Sequence, residues 1–159
     1  MSSKELVPYL YKLSEAKLTL MKDLMKKTKE QAKAIENEDT ELLNKTIEDK
    51  NKIIEKIDLL DNEFLQKYER LKNYLGVESL EELSDNSQNQ FKELKGKVSQ
   101  ITKETDKIKQ VDRKNMQKMK QEMEKVQSNI QTVKKGKKAV KGYNEKYSKN
   151  SSIFIDQKK

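Results

Sequence analysis

Histidine and cysteine are both missing from these 159 residues, proline occurs once and glycine four times. Without histidine the chain lacks the commonest general base and metal ligand, and with it most hydrolytic mechanisms. Without cysteine, disulfides and thiolate metal sites are excluded. Gly76, Gly96, Gly136 and Gly142 match neither the dinucleotide spacing nor the Walker loop, so no phosphate cradle is expected. No apolar run approaches the ~18 to 20 residues that a membrane span needs. Two acidic groups, one at Glu36, Glu38 and Asp39 and one at Glu78, Glu81, Glu82 and Asp85, have no histidine to complete a di-iron site. They read as solvated loop and cap carboxylates. The expectation is therefore no enzyme, no cofactor and no resident metal.

What the chain does have is charge: 39% of its residues are charged and 33% apolar. That balance cannot fill a thick globular core, whereas a long amphipathic helix needs only a narrow buried stripe. The length suits one domain. The net charge of +8 is placed unevenly. From Lys134 to Lys159 nine lysines face only Glu145 and Asp156, for a local +7, which leaves the preceding body nearly neutral. The opening Met1, Ser2, Ser3, Lys4 and Glu5 lead into an amphipathic pattern and not the apolar run of a secretory signal, so a cytoplasmic location is expected.

Periodicity predicts an all-α fold: an elongated antiparallel helical hairpin plus a long third helix, coiled-coil-like, with a flexible C-terminal tail. The first helix is expected over about 4–36, with Leu6, Leu10, Leu13, Leu20, Leu24, Ala32 and Ile35 on its apolar face. A polar turn and an Asp39 N-cap lead to a second helix over about 40–75, closed by Gly76. Its stripe of Leu43, Ile47, Ile54, Ile57, Phe64, Leu71 and Leu75 is interrupted by Lys50 and Asp61. Ser79 and Glu82 form a capping-box pair before a short helix over about 80–83, and the third helix is expected over about 88–135. The helical domain thus covers 1–135 and the flexible basic tail 136–159.

The third helix changes phase. Phe91, Leu94, Val98, Ile101, Thr105 and Ile108 keep one heptad frame, and two four-residue steps through Asp112 then lead to a second frame at Met116. Such a stutter rotates the seam, and Asp112 would be expensive to bury alone. The second frame is an unbroken stripe of Met116, Met119, Met123, Val126, Ile130 and Val133. At ~1.5 Å per residue the third helix is roughly 70 Å long and its neighbours roughly 50 Å, so its end should project past the first turn. Stripes of this kind most often form ordinary core. The overhang, and methionine at three successive seam positions, favour a face that accepts partner helices. A second copy of the chain is the competing occupant, giving a homodimer in the free state.

The whole pattern resembles the flagellar export chaperones of the FlgN family. The resemblance rests on the helix from Lys4 to Glu36, the turn Asn37-Glu38-Asp39-Thr40-Glu41-Leu42-Leu43 leading into Lys50 to Leu60, and the joint Leu75-Gly76-Val77-Glu78-Ser79-Leu80-Glu81-Glu82-Leu83. It continues through the long helix with Asp112-Arg113-Lys114-Asn115 to the ending Gly142-Tyr143-Asn144 and Ile153-Phe154-Ile155. It implies a cytoplasmic, nonenzymatic protein that holds hook-associated proteins of the hook-filament junction by their amphipathic C-terminal helices. The six stripe residues would then be the client-binding face. It also implies delivery to the cytoplasmic domain of the flagellar type III export gate, with Tyr143, Tyr147 and Phe154 as candidate docking residues. The alternatives are a basic coiled-coil protein that binds nucleic acid or an anionic membrane through its tail, and a structural coiled-coil dimer. Lysine and asparagine are abundant throughout the chain, which discounts the tail's basic signal, so no nucleic-acid partner is expected.

Overall fold

The structure, a computed structural model, describes residues 1–79 and 89–137. Three helices account for nearly all of them: α1 (Ser3–Glu36), α2 (Thr40–Leu75) and α3 (Asn89–Lys137). The short helix expected at about 80–83 lies outside the described residues. The fold is all-α, and no strand occurs among the described residues.

Local chemistry sets the helix ends. At the start of α1 the Ser2 N–H donates to the Glu5 carboxylate at 2.9 Å, which satisfies a backbone group that the first turn leaves unpaired. At the start of α2 the Asp39 carboxylate accepts from the Leu42 N–H at 3.1 Å. Gly76 ends α2 with φ +65, in the left-handed region, and the Val77 N–H closes the end on the Lys72 carbonyl at 3.2 Å. α3 runs without interruption through Asp112.

α1 is the middle helix. It packs against both α2 and α3, which make little backbone contact with each other. The tight turn after Glu36 makes α2 antiparallel to α1. Leu94 of α3 packs among Leu6 and Leu10, and Ile108 among Met21 and Leu24, so α3 runs parallel to α1. Having two neighbours widens the buried surface of α1 beyond a single stripe. Val7, Leu18, Met21 and Met25 are buried, while Leu20 and Ala32 from the expected stripe are only half-buried. On the flanking helices the stripe is narrower, and Ile54 and Val98 are exposed.

The core has two parts and ends in a polar layer. Leu6, Val7, Leu10, Leu13, Leu71 and Leu94 form the first cluster, edged by Phe64, Tyr68 and Phe91. Met21, Leu24, Met25, Ile57 and Ile108 form the second. Above it, Lys50 Nζ reaches Asp112 Oδ1 at 2.7 Å and Gln31 Oε1 at 2.9 Å, which ties all three helices together. Asn115, only 3% exposed, donates to the Thr28 carbonyl at 3.0 Å. The two seam charges that looked out of place singly are each other's partner, so Asp112 is not buried alone. Asp61 of α2 is paired in the same way, with Lys17 at 2.6 Å.

Two further links join α1 to α2. The Tyr9 hydroxyl donates to the Glu63 carboxylate, and this hydrogen bond, helped by burial, holds the phenol above its ordinary pKa. Lys27 bridges Asp49 at 3.1 Å and Glu30 at 3.2 Å, and the bonds to Asp49 and Glu30 raise its pKa.

Candidate partner-docking groove

Asn115 fixes the register of α3 on α1. Its amide meets the Thr28 carbonyl and lies 3.5 Å from Gln31 Oε1, so two parallel helices of equal rise bring Glu36, the last residue of α1, level with about residue 122. From there to Lys137 α3 continues for ~15 residues, or ~22 Å, beyond the hairpin turn. The stripe straddles this point.

Its members differ in setting. Met119, Met123, Val126, Ile130 and Val133 are all half-buried, and none is sealed. Met116 is 69% exposed and stands off the seam. The inward position at its level is taken by Asn115, whose amide has a carbonyl to meet, so the second frame starts in effect at Met119. From Met119 on the stripe is thus partly covered along its length and sealed nowhere.

A cleft of about 610 Å³ lies where α3 leaves the hairpin. One wall is the end of α1 and the turn, with Ala34, Ile35, Glu38 and Asp39; Thr40 and Leu43 of α2 continue it. The other wall is α3, with Met119, Glu122, Lys125, Val126 and Asn129. The floor is apolar, the rim polar. Glu38 holds a left-handed backbone, φ 54, on that rim. Glu122 and Lys125, one turn apart on α3, approach to 3.9 Å. Of the six stripe residues only Met119 and Val126 line the cleft, and sequence periodicity missed the opposite wall. The available signal was Ile35, the last member of the α1 stripe, placed directly before an acidic turn.

A cleft of this size, walled by helices and floored by methionine and branched aliphatic side chains, suits an apolar helix face better than a reactive small molecule. Among the described residues there is no cluster of carboxylates fit to hold a metal ion. Among the same residues no helix is long and apolar enough to cross a membrane.

The sequence model of the family described as FlgN protein matches residues 1–151. The chain belongs to the FlgN family. No curated protein and no solved structure matches it. FlgN membership makes the chain, in general terms, a flagellar export chaperone. Tyr143, Tyr147 and Phe154, the candidate gate-docking residues of this FlgN-family chain, lie outside the described residues.

Proposed function

We propose that this chain holds hook-associated proteins before secretion by gripping their amphipathic C-terminal helices along Met119, Met123, Val126, Ile130 and Val133, with Met116 at the near edge. The observation that carries the reading is the overhang: an apolar stripe continues on α3 past the point where α1 and the turn can cover it. A helix laid along it would bury apolar faces on both sides, which is the helix-in-groove mode of recognition. Methionine lets one face fit helices of unequal side chains. The loaded chaperone then delivers its client in the cytoplasm to the export gate, through the basic tail and Tyr143, Tyr147 or Phe154.

The test is substitution on the open face. Met119→Asp and Val126→Asp each abolish pull-down of a hook-associated client and leave the circular dichroism spectrum and melting midpoint nearly unchanged. Unfolding alongside the loss would show that the stripe is core and refute the assignment. A second copy as the occupant shows itself as a dimer by sedimentation at low micromolar concentration.

A further inference from the structure

Seven large apolar side chains stand exposed among the described residues, and four of them border one groove between α2 and α3, on the side away from α1. They are Ile54 and Leu65 of α2 and Val98 and Met116 of α3, 38 to 69% exposed. The groove exists because the two flanking helices pack on α1 and make little contact with each other. Val98 lines the seam between them, with Leu60, Asp61 and Phe64 opposite and Leu13 of α1 beneath. Lys50 and Asp112 meet across the same seam. Ile54, Leu65 and Met116 lie four residues past Lys50, Asp61 and Asp112, hence one turn on along the same side of their helices.

The two edges of this groove carry opposite charge. On α2 the edge holds Glu48, Glu55, Asp58 and Glu69, with Lys72 as its cation, bound to Glu69 at 2.8 Å. On α3 it holds Lys95, Lys109, Arg113 and Lys120, with Asp106 as its acid. Glu69 and Lys72 apart, none of these groups forms an ion pair among the described residues. Their heights correspond. Lys50 lies opposite Asp112, and Leu71 shares a cluster with Leu94. In these antiparallel helices Glu55 is therefore about level with Lys109, Glu69 with Lys95, and Glu48 falls between Arg113 and Lys120.

We infer that this groove docks a second copy of the chain, face to face, about a two-fold axis parallel to the helices. That axis lays α2 of one copy over α3 of the other at unchanged height, so Glu55 meets Lys109 of the second copy and Glu69 meets its Lys95, each rung occurring twice. A two-fold across the helices would instead stack α2 on α2 and set carboxylate against carboxylate, so the charge pattern selects the first axis. Between the edges, Ile54, Leu65, Val98 and Met116 of the two copies cover one another. The face is ~32 Å long, from the level of Glu48 to that of Glu69, and two helices or ~20 Å wide. Its ~640 Å² approaches the ~800 Å² that one partner contributes to an interface of standard size. With few apolar side chains and exposed ion pairs the dimer is weak, with Kd ~10 to 100 µM, and the α3 stripe from Met119 onward stays free for a client.

Sedimentation equilibrium of the full chain at about 300 µM and about 0.05 M salt should give a mass approaching twice 18.7 kDa. Raising the salt to about 0.5 M should weaken association about tenfold. Glu55→Lys with Glu69→Lys should be monomeric, and so should Lys95→Glu with Lys109→Glu, each with the circular dichroism spectrum of the parent. Mixed in equal amounts, the two variants should form a heterodimer, because every edge again meets its opposite. Damage to the fold cannot be repaired in that way.

A parent chain that stays monomeric would overturn the assignment to a second copy. Charge variants that dimerise as the parent does would overturn the choice of face, and a mixture that stays monomeric would overturn the axis. Loss of the dimer on Met119→Asp would transfer the contact to the α3 stripe and overturn the groove. Client pull-down is read separately, so none of these results decides the proposed function.

Discussion

Two glycines that look alike in the sequence carry opposite expectations, because their backbones differ. Gly76 turns α2 off with φ +65, and a Cβ built there meets nothing within 4 Å, so the only penalty for a side chain is conformational. Gly76→Ala should destabilise the protein by about 1 kcal/mol. Gly96 lies inside α3, also with open space around it, and there glycine's flexibility is a pure loss. Gly96→Ala should stabilise by ~0.5 to 1 kcal/mol. Urea unfolding of both variants checks the pair, and equal signs would mean that the two backbones are not as described. A buried residue sets the larger scale. Leu94 is fully buried between α1 and α2, so Leu94→Ala should cost ~2 to 5 kcal/mol, depending on how far the site collapses.

At the scale of the element, α3 is two structures in one continuous helix. Up to Asn115 it is held by Leu94, Ile108, the Lys50 to Asp112 ion pair and the Asn115 to Thr28 hydrogen bond. Beyond about residue 122 it has no neighbouring helix at its level among the described residues, and an isolated helix segment of that length is marginal in water. Amide hydrogen exchange should therefore show a step: strong protection from Leu94 to Asn115 and weak protection from Glu124 to Lys135, with the weak half slowing when a client helix is bound. Uniform protection along α3 would remove the basis for an open overhang. This division was largely legible in the sequence, since the length mismatch and the stutter at Asp112 both follow from spacing. The end signals were legible too, because Asp39 and Gly76 act within a few residues of themselves. The two-sided burial of α1 was not. A periodic pattern shows which residues are apolar and not how many helices surround them, so Val7, Leu18, Met21 and Met25 were missed. Lys50 and Asp112 looked like separate interruptions because their pairing is a fact of register, and register is a long-range property. The same limit hid Asn115 behind Met116 and left the α1 wall of the cleft unread.

Across the whole molecule, the proposed function gives binding and delivery to different regions with different physics. The body is nearly neutral and presents an apolar stripe, whereas the segment after Val133 concentrates the positive charge. If the stripe grips the client and the tail meets the export gate, the two should separate cleanly on truncation. A chain ending at Lys137 keeps every described contact of α1, α2 and α3, so its melting midpoint and its affinity for a hook-associated client should match those of the full chain. Secretion of that client should nevertheless fall sharply in cells that carry only the shortened form. Salt distinguishes this from the nucleic-acid alternative. Contacts to several phosphates lose ~10³ to 10⁵ in affinity between 50 and 200 mM salt, whereas helix docking on an apolar floor should change by no more than about tenfold. Normal secretion by the truncated chain would remove the tail from delivery and require the gate to read the helical body, leaving the exposed α2 side chains Leu59, Leu65 and Tyr74 as the next surface to substitute.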